Sequence, residues 1–260
     1  MSNDLQERAT NISFLKDRLD FNQKYSRLDF QQWLCRHLDQ IKFESVLDIA
    51  CGTGKQTSWF ARKIIPNGKV CAFDKSADSI EKIKLLSIEF QNIEACIGSM
   101  DELYNCVSNN FSIKQFDLAH CSYALYYAKN PHETIQQILQ VLAKDGTLAL
   151  SGPHLVNTLL VFLSQYQDIP QASWDCLEFM NDIVLFNCYR YFNTVRTHIF
   201  VNNMYITSLE DFAEYYRAST FYSVEAERKI LNDVNDIINK KGSFHIQKNT
   251  KLVIASLKAE

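Results

Sequence analysis

Short apolar runs alternate with longer stretches of mixed polarity through the first 150 residues of the chain. Ser45–Ala50, Lys69–Phe73, Ile93–Ile97, Phe116–Cys121 and Thr147–Leu150 are brief, nearly continuous hydrophobic runs, the pattern of strands buried on both faces. Between them, Lys55–Ile65, Ser76–Phe90 and Pro131–Leu142 carry apolar residues at helical spacing, with Ser76 as an N-cap and Pro131 at a helix start. Pro66-Asn67-Gly68 and Asp145-Gly146 read as turns. Upstream, Phe30, Trp33, Leu34 and Leu38 recur every three or four positions and predict a helix ending near Gln40. Strands alternating with helices of about 10 to 15 residues imply right-handed crossovers and a parallel sheet covered on both faces.

The rhythm stops after Ser151-Gly152-Pro153. Residues 154–205 are crowded with aromatics, among them Phe162, Tyr166, Trp174, Phe179, Phe186, Tyr189, Tyr191, Phe192 and Phe200. They read as helical and as an insertion over the carboxyl edge of the sheet, with many of the rings filling the insertion's own core. Ser208 with Asp211 reads as a helix start, and Phe221–Val224 and Lys251–Ala255 as closing strands around a helix near Val234–Ile238. The expected fold is α/β: a doubly wound, mostly parallel seven-stranded sheet with helices on both faces. An N-terminal helical cap segment occupies residues 1–44, the sheet domain 45–153 and 206–260, and a helical, aromatic-rich lid 154–205.

Composition narrows the partners. The chain has 260 residues, 47% of them hydrophobic, enough for a full core. A net charge of −3 argues against a duplex-binding surface, so no nucleic-acid partner is expected. No apolar run approaches the roughly 20 residues that cross a bilayer, the longest being Leu155–Leu163, so no membrane association is expected. The eight cysteines contain no C-x-x-C pair, and the N-terminus has no apolar signal core. They read as reduced structural thiols in a cytoplasmic protein without a metal site, acting as a monomer or homodimer.

The segment that carries chemistry is Val46-Leu47-Asp48-Ile49-Ala50-Cys51-Gly52-Thr53-Gly54. A phosphate-binding P-loop would need glycine where Ile49 stands, and Gln56 separates Lys55 from Thr57. A dinucleotide fingerprint would need a third glycine where Thr57 stands, and Asp48 would repel a pyrophosphate. The segment instead resembles the first motif of class I, Rossmann-like S-adenosylmethionine-dependent methyltransferases, V-L-D-x-G-C-G-x-G, with Ala50 in place of the first glycine. The donor is a zwitterion with a sulfonium and no phosphate. A carboxylate at Asp48 suits its ammonium, Gly52 and Gly54 allow close backbone approach, and the helix start after Gly54 suits its carboxylate.

The resemblance extends over residues 44–152. It implies that Asp74, ending Val70-Cys71-Ala72-Phe73-Asp74, accepts hydrogen bonds from both ribose hydroxyls, with Lys75 beside it. Cys96-Ile97-Gly98-Ser99-Met100-Asp101 stands where the family often has Gly-Asp-Ala, so Ser99 and backbone groups would meet the adenine, with Met100 against the ring. Phe116–Tyr127 resembles the family's fourth-strand block, which brings Cys121 to the donor. Gln140–Gly146 resembles its R-V-L-K-P-G-G turn, with Gln140 and Asp145 as departures. Tyr25, in Asn22-Gln23-Lys24-Tyr25-Ser26, is a candidate for closing over the cofactor.

Methyl transfer from a sulfonium is an in-line displacement in which alignment does most of the work. An oxygen or carbon acceptor would also need a base, for which His154, His120 and Tyr123 are the candidates. The aromatic insertion points to a small-molecule acceptor that is apolar, aromatic or amino-acid-derived, as in secondary metabolism. The alternatives are a protein or peptide methyltransferase, a non-catalytic S-adenosylmethionine-binding subunit and an NAD-linked oxidoreductase.

Overall fold

The structure, a computed structural model, describes Arg8 and residues 12–259. Positions 1–7 and 9–11 of the expected N-terminal segment lie outside the described residues. The chain runs α1 (Ile12–Tyr25), α2 (Phe30–Leu38), β1 (Ser45–Ile49), α3 (Lys55–Lys63), β2 (Lys69–Asp74), α4 (Ala77–Glu89) and β3 (Ile93–Ile97). It continues with α5 (Leu103–Asn110), β4 (Phe116–Ser122), α6 (Pro131–Val141) and β5 (Leu142–Asn157). Then come α7 (Thr158–Leu163), α8 (Gln171–Phe179), a π-helical stretch (Met180–Leu185) and α9 (Phe186–Tyr191). It closes with β6 (Thr194–Ile206), α10 (Leu209–Ala218), α11 (Val224–Lys241) and β7 (Phe244–Ser256).

The strands form one seven-stranded sheet in the order β3-β2-β1-β4-β5-β7-β6. The first five pair in parallel. The expected doubly wound α/β sheet is therefore present, and its order reverses between β1 and β4. That reversal opens a crevice at the carboxyl ends of the two strands. Two compact units are distinguished. One draws on the chain up to Phe30, Pro153–Glu178 and Ile199–Thr250; the other on Gln31–Gly152, Phe179–His198 and the chain from Lys251.

Strand alternation sorts the core of the second unit. Leu47, Ile49, Cys71, Phe73, Ala119 and Cys121 pack with Leu103 and Val107 of α5 and with Ile135 and Ile138 of α6. Val46, Asp48, Leu118 and His120 alternate with them and face the other way, where Phe60 of α3 lies against His120 with ring centroids 5.2 Å apart. In the first unit, Phe21, Leu163, Phe212, Tyr216, Ile230 and Phe244 form a separate core. Phe162 joins it, 4.9 Å from Phe244 and 5.1 Å from Tyr166, so this part of the aromatic-rich segment packs into a core shared with α10, α11 and β7 and not into one of its own.

Helix starts follow local chemistry. Ser76, Asn130, Ser208 and Ser223 each accept a hydrogen bond from the amide three residues on, which satisfies a donor that the first turn leaves orphaned. Three expectations need correction. The fifth strand does not end at Leu150 but runs to Asn157, with the expected Asp145-Gly146 turn absorbed as an irregularity in its pairing with β4. Residues 194–206, read as helical, form β6; it stands at the edge of the sheet, and its half-exposed polar positions mask the strand pattern. Phe221–Ser223 is a turn and not a strand, because Ser223 caps α11 and Glu225 and Glu227 occupy its first turn. Among the described residues, no helix is long and apolar enough to cross a membrane.

Phe60 is fully buried between Phe43, Trp59 and His120. Phe60→Ala is expected to cost about 3–5 kcal/mol of folding stability, read from urea denaturation midpoints.

Candidate functional site

The crevice at the sheet's reversal is built by a bend that joins β1 to α3. Ala50, Gly52 and Gly54 all take positive φ, at 54°, 52° and 78°. Cys51 N donates to Phe73 O at 3.1 Å, and Gly54 N donates back to Cys51 O at 3.0 Å, so the bend is tied both to β2 and to itself. The two glycines answer different demands. A Cβ at Gly52 would meet nothing within 4 Å, so this part of the bend faces open space. A Cβ at Gly54 would lie 2.4 Å from Ile83 Cδ1 and 2.9 Å from Leu86 Cδ1, so it would push on α4, and the φ of 78° itself favours glycine. α3 then begins at Lys55 without a side-chain cap.

Asp74, at the end of β2, braces this bend. Its Oδ2 accepts from Gly52 N and its Oδ1 from Ser76 N, both at 2.9 Å. Each carboxylate oxygen retains a second lone pair, and the residue is half-exposed, so hydroxyl donors can still be accepted. Lys75 beside it is exposed.

Asp48 behaves differently from the expectation. It is 2% exposed, and its oxygens are taken by Thr57 Oγ1, donating at 2.6 Å, and by His120 Nδ1 at 2.9 Å. The carboxylate therefore lies beneath the bend and not on the open face, and it reaches a ligand only through what it positions. The same contacts correct the reading of His120 as a base. That ring is 1% exposed, inside the sheet, beside Phe60 and bonded to Asp48. Thr57, dismissed as a failed glycine, proves to be the partner that makes a buried carboxylate tolerable. The one legible signal was its spacing, nine residues after Asp48 and within the first turn of the helix.

Around the loop after β3, Ser99 caps the short turn Met100–Glu102 by accepting from Asp101 N at 3.2 Å. Met100 is half-buried against the core. Asp101 is committed to structure: Oδ1 accepts from Lys129 N at 2.8 Å, and its carbonyl accepts from Gln137 Nε2 at 3.0 Å. Cys121 is 1% exposed, and burial followed by the Asp48 charge pushes its thiol up to about 12. Its side chain belongs to the core, so any contact of Cys121 with a donor is left to its backbone.

Tyr123 follows β4 with a φ of 56°, a conformation that L-residues seldom adopt, and is 40% exposed. Its amide donates to Ser151 O at 2.8 Å, and Ser122 Oγ meets Ser151 Oγ at 2.7 Å, so β4 and β5 are clamped where the tyrosine leaves the sheet. That serine pair went unnoticed in the sequence. In the other unit, His154 lies within the extended β5 and is 7% exposed. Tyr25 ends α1, and its hydroxyl donates to Asp211, which also pairs with Lys24 at 2.5 Å. Burial, and then the bond to Asp211, raise the Tyr25 phenol above its ordinary value, so it stays neutral and a hydrogen-bond donor at physiological pH.

Residues 42–177 match a family model described as a methyltransferase domain. A demethylmenaquinone methyltransferase of Lactococcus lactis is 31% identical over 104 residues, 39% of this chain and 39% of that protein. An uncharacterised 37.1 kDa protein of a Streptomyces fradiae transposon is 25% identical over 116 residues, 45% of this chain and 32% of that protein. The matches thus span 32% and 39% of these relatives' lengths. Among solved structures, a candidate methyltransferase of Bacillus halodurans aligns at a TM-score of 0.58 with 19% identity, covering 88% of this chain and 99% of its own. The plantazolicin methyltransferase BpumL, solved with S-adenosylhomocysteine, aligns at 0.51 with 15% identity, covering 98% and 95%. At these identities, the structural likeness is one of fold.

The bend makes a direct prediction. Ala50→Gly relieves a left-handed alanine and is expected to raise stability by about 1 kcal/mol, whereas Gly54→Ala lowers it by about 1–3 kcal/mol. Both are read from chemical denaturation.

Proposed function

Because the chain belongs to the methyltransferase-domain family, with the class I Rossmann-like fold of S-adenosylmethionine-dependent enzymes, we propose that it methylates a small-molecule acceptor. The observation that carries the donor site is the bend Ala50–Gly54, open at Gly52 and hydrogen-bonded through Gly52 N to the half-exposed carboxylate of Asp74. When bound, S-adenosylmethionine supplies a methyl group made electrophilic by its sulfonium.

The residues fit that ligand. The open backbone at Gly52 admits close approach without a side chain in the way. Asp74 presents fixed acceptors for a vicinal diol. Asp48, braced by Thr57 and His120, places a negative charge beneath the bend that favours a cationic amino-acid group over a phosphate. Ser99 and Met100 are assigned to the adenine side, and Tyr25 to closure over the donor. Lys75 borders the ribose position. Tyr123 and His154 are assigned to the acceptor, as orienting groups and as bases where the acceptor atom must lose a proton.

A small acceptor is supported by the aromatic-rich segment, in which Phe186 and Tyr189 are 56% and 66% exposed while Phe192 and Phe200 are buried. The demethylmenaquinone methyltransferase relative, named for an apolar aromatic acceptor, points the same way.

Incubation with labelled S-adenosylmethionine and a small-molecule extract should give a labelled low-mass product. Label on protein instead, or none from any acceptor pool, overturns the acceptor class. A thermal-shift panel is expected to show stabilisation by S-adenosylmethionine and S-adenosylhomocysteine and none by NAD or NADP. Asp74→Ala should weaken S-adenosylhomocysteine binding roughly 10- to 150-fold by calorimetry, the loss of charge-assisted hydrogen bonds. His154→Ala should lower kcat by about 100-fold or more while shifting the melting temperature little. Equal loss of activity and stability would remove it from the catalytic set.

A further inference from the structure

Two cysteines lie side by side next to the loop assigned above to adenine. Cys96, on β3, is half-buried; Cys106, on α5, is 7% exposed, and their sulfurs are 3.4 Å apart. Between them in sequence stand Gly98, Ser99 and Met100. A Cβ at Gly98 would fall 2.4 Å from Cys106 Sγ, so the glycine is what lets this thiol sit directly against the loop. Five other cysteines are of the inert kind: burial raises the thiols of Cys51, Cys71, Cys121, Cys176 and Cys188. Cys96 is shifted the opposite way by its hydrogen-bonding contact with Cys106, and the same contact, with burial, raises Cys106, so of the two it is Cys96 that carries thiolate character. Thiolate character together with partial exposure is what makes a cysteine reactive.

We propose that Cys96 and Cys106 form a dithiol–disulfide modification site that takes a peroxide as its oxidant and lowers affinity for the methyl donor when oxidised. The sulfurs must approach by about 1.4 Å to reach a disulfide bond length. The chemistry balances with one peroxide. The Cys96 thiolate attacks one oxygen of hydrogen peroxide, the O–O bond breaks, and the departing hydroxide takes up a proton to leave as water. The resulting sulfenic acid at Cys96 is attacked by the Cys106 sulfur. The S–O bond breaks, and its oxygen leaves as a second water, with the proton that Cys106 gives up. Two thiols and one peroxide thus become one disulfide and two waters. A small dithiol reverses the step by exchange and is itself oxidised to its disulfide.

The bond ties the end of β3 to α5 across the ten-residue separation of the two cysteines, and the intervening loop must shift because Gly98 is already in contact with Cys106. The effect on affinity rests on the assignment of that loop to adenine. The formation of the disulfide does not.

The reduced chain is treated with hydrogen peroxide, its remaining thiols are alkylated, and its peptides are mapped by mass spectrometry. The expected product has lost two hydrogen atoms, contains a Cys96–Cys106 cross-link, reverts with dithiothreitol, and is missing from Cys106→Ala and Cys96→Ala. Over-oxidation of Cys96 without a cross-link, or labelling spread evenly over the eight cysteines, overturns the site. Calorimetry with S-adenosylhomocysteine should show affinity about fivefold or more weaker in the oxidised protein, restored by dithiothreitol. Equal affinity in both states overturns the regulatory effect. Absence of binding by the reduced protein strikes the donor-site assignment and the affinity effect with it, while the peptide map still decides the dithiol site.

Discussion

The structure turns on a backbone constraint: five residues must carry the chain from the end of β1 into α3 while leaving the carboxyl edge of the sheet open. Three of the five, Ala50, Gly52 and Gly54, take positive φ to do so. A bend of this kind holds its shape only if its free amides are occupied. Asp74 takes the Gly52 amide from the end of the neighbouring strand, so the site's first and second motifs are one hydrogen-bonded object. The position of β2 relative to β1, set by sheet pairing five residues long, thereby fixes the geometry of a loop more than twenty residues upstream.

A second constraint lies under the first. A carboxylate removed from water is costly unless its oxygens are bonded, and Asp48 has found a hydroxyl on α3 and an imidazole on β4. These two contacts join the strand before the bend to the helix after it and to the strand on the other side of the crevice. The acid that marks the motif thus holds the bend from below. A purely apolar residue would pack there but would leave the His120 and Thr57 donors unsatisfied in the core.

The residues proposed for function on this scaffold stand at the strand ends. Asp74, the loop Gly98–Met100 and Tyr123 follow β2, β3 and β4 in turn, and parallel pairing brings all three ends to one edge of the sheet. Tyr123 leaves that edge in a strained conformation held by Ser151, at a cost of order 1–2 kcal/mol. The aromatic-rich segment divides its labour: Phe162 and Tyr166 build a core, while Phe186 and Tyr189 remain on the surface.

Much of this was legible in the residues themselves, because the information was local. Continuous apolar runs announce doubly covered strands, serines and asparagine at helix starts announce caps, and the order aspartate, glycine, glycine, distant aspartate announces the motif, since each rests on neighbours within a few positions. The edge strand β6 was hidden because half of it faces water and its sequence carries no clean alternation. The roles of Thr57, His120 and Ser151, and the approach of Cys96 to Cys106, were beyond any local reading. Each depends on which residue of another element stands opposite, and that is set by strand register and helix packing, which exist only once the whole sheet has closed its core.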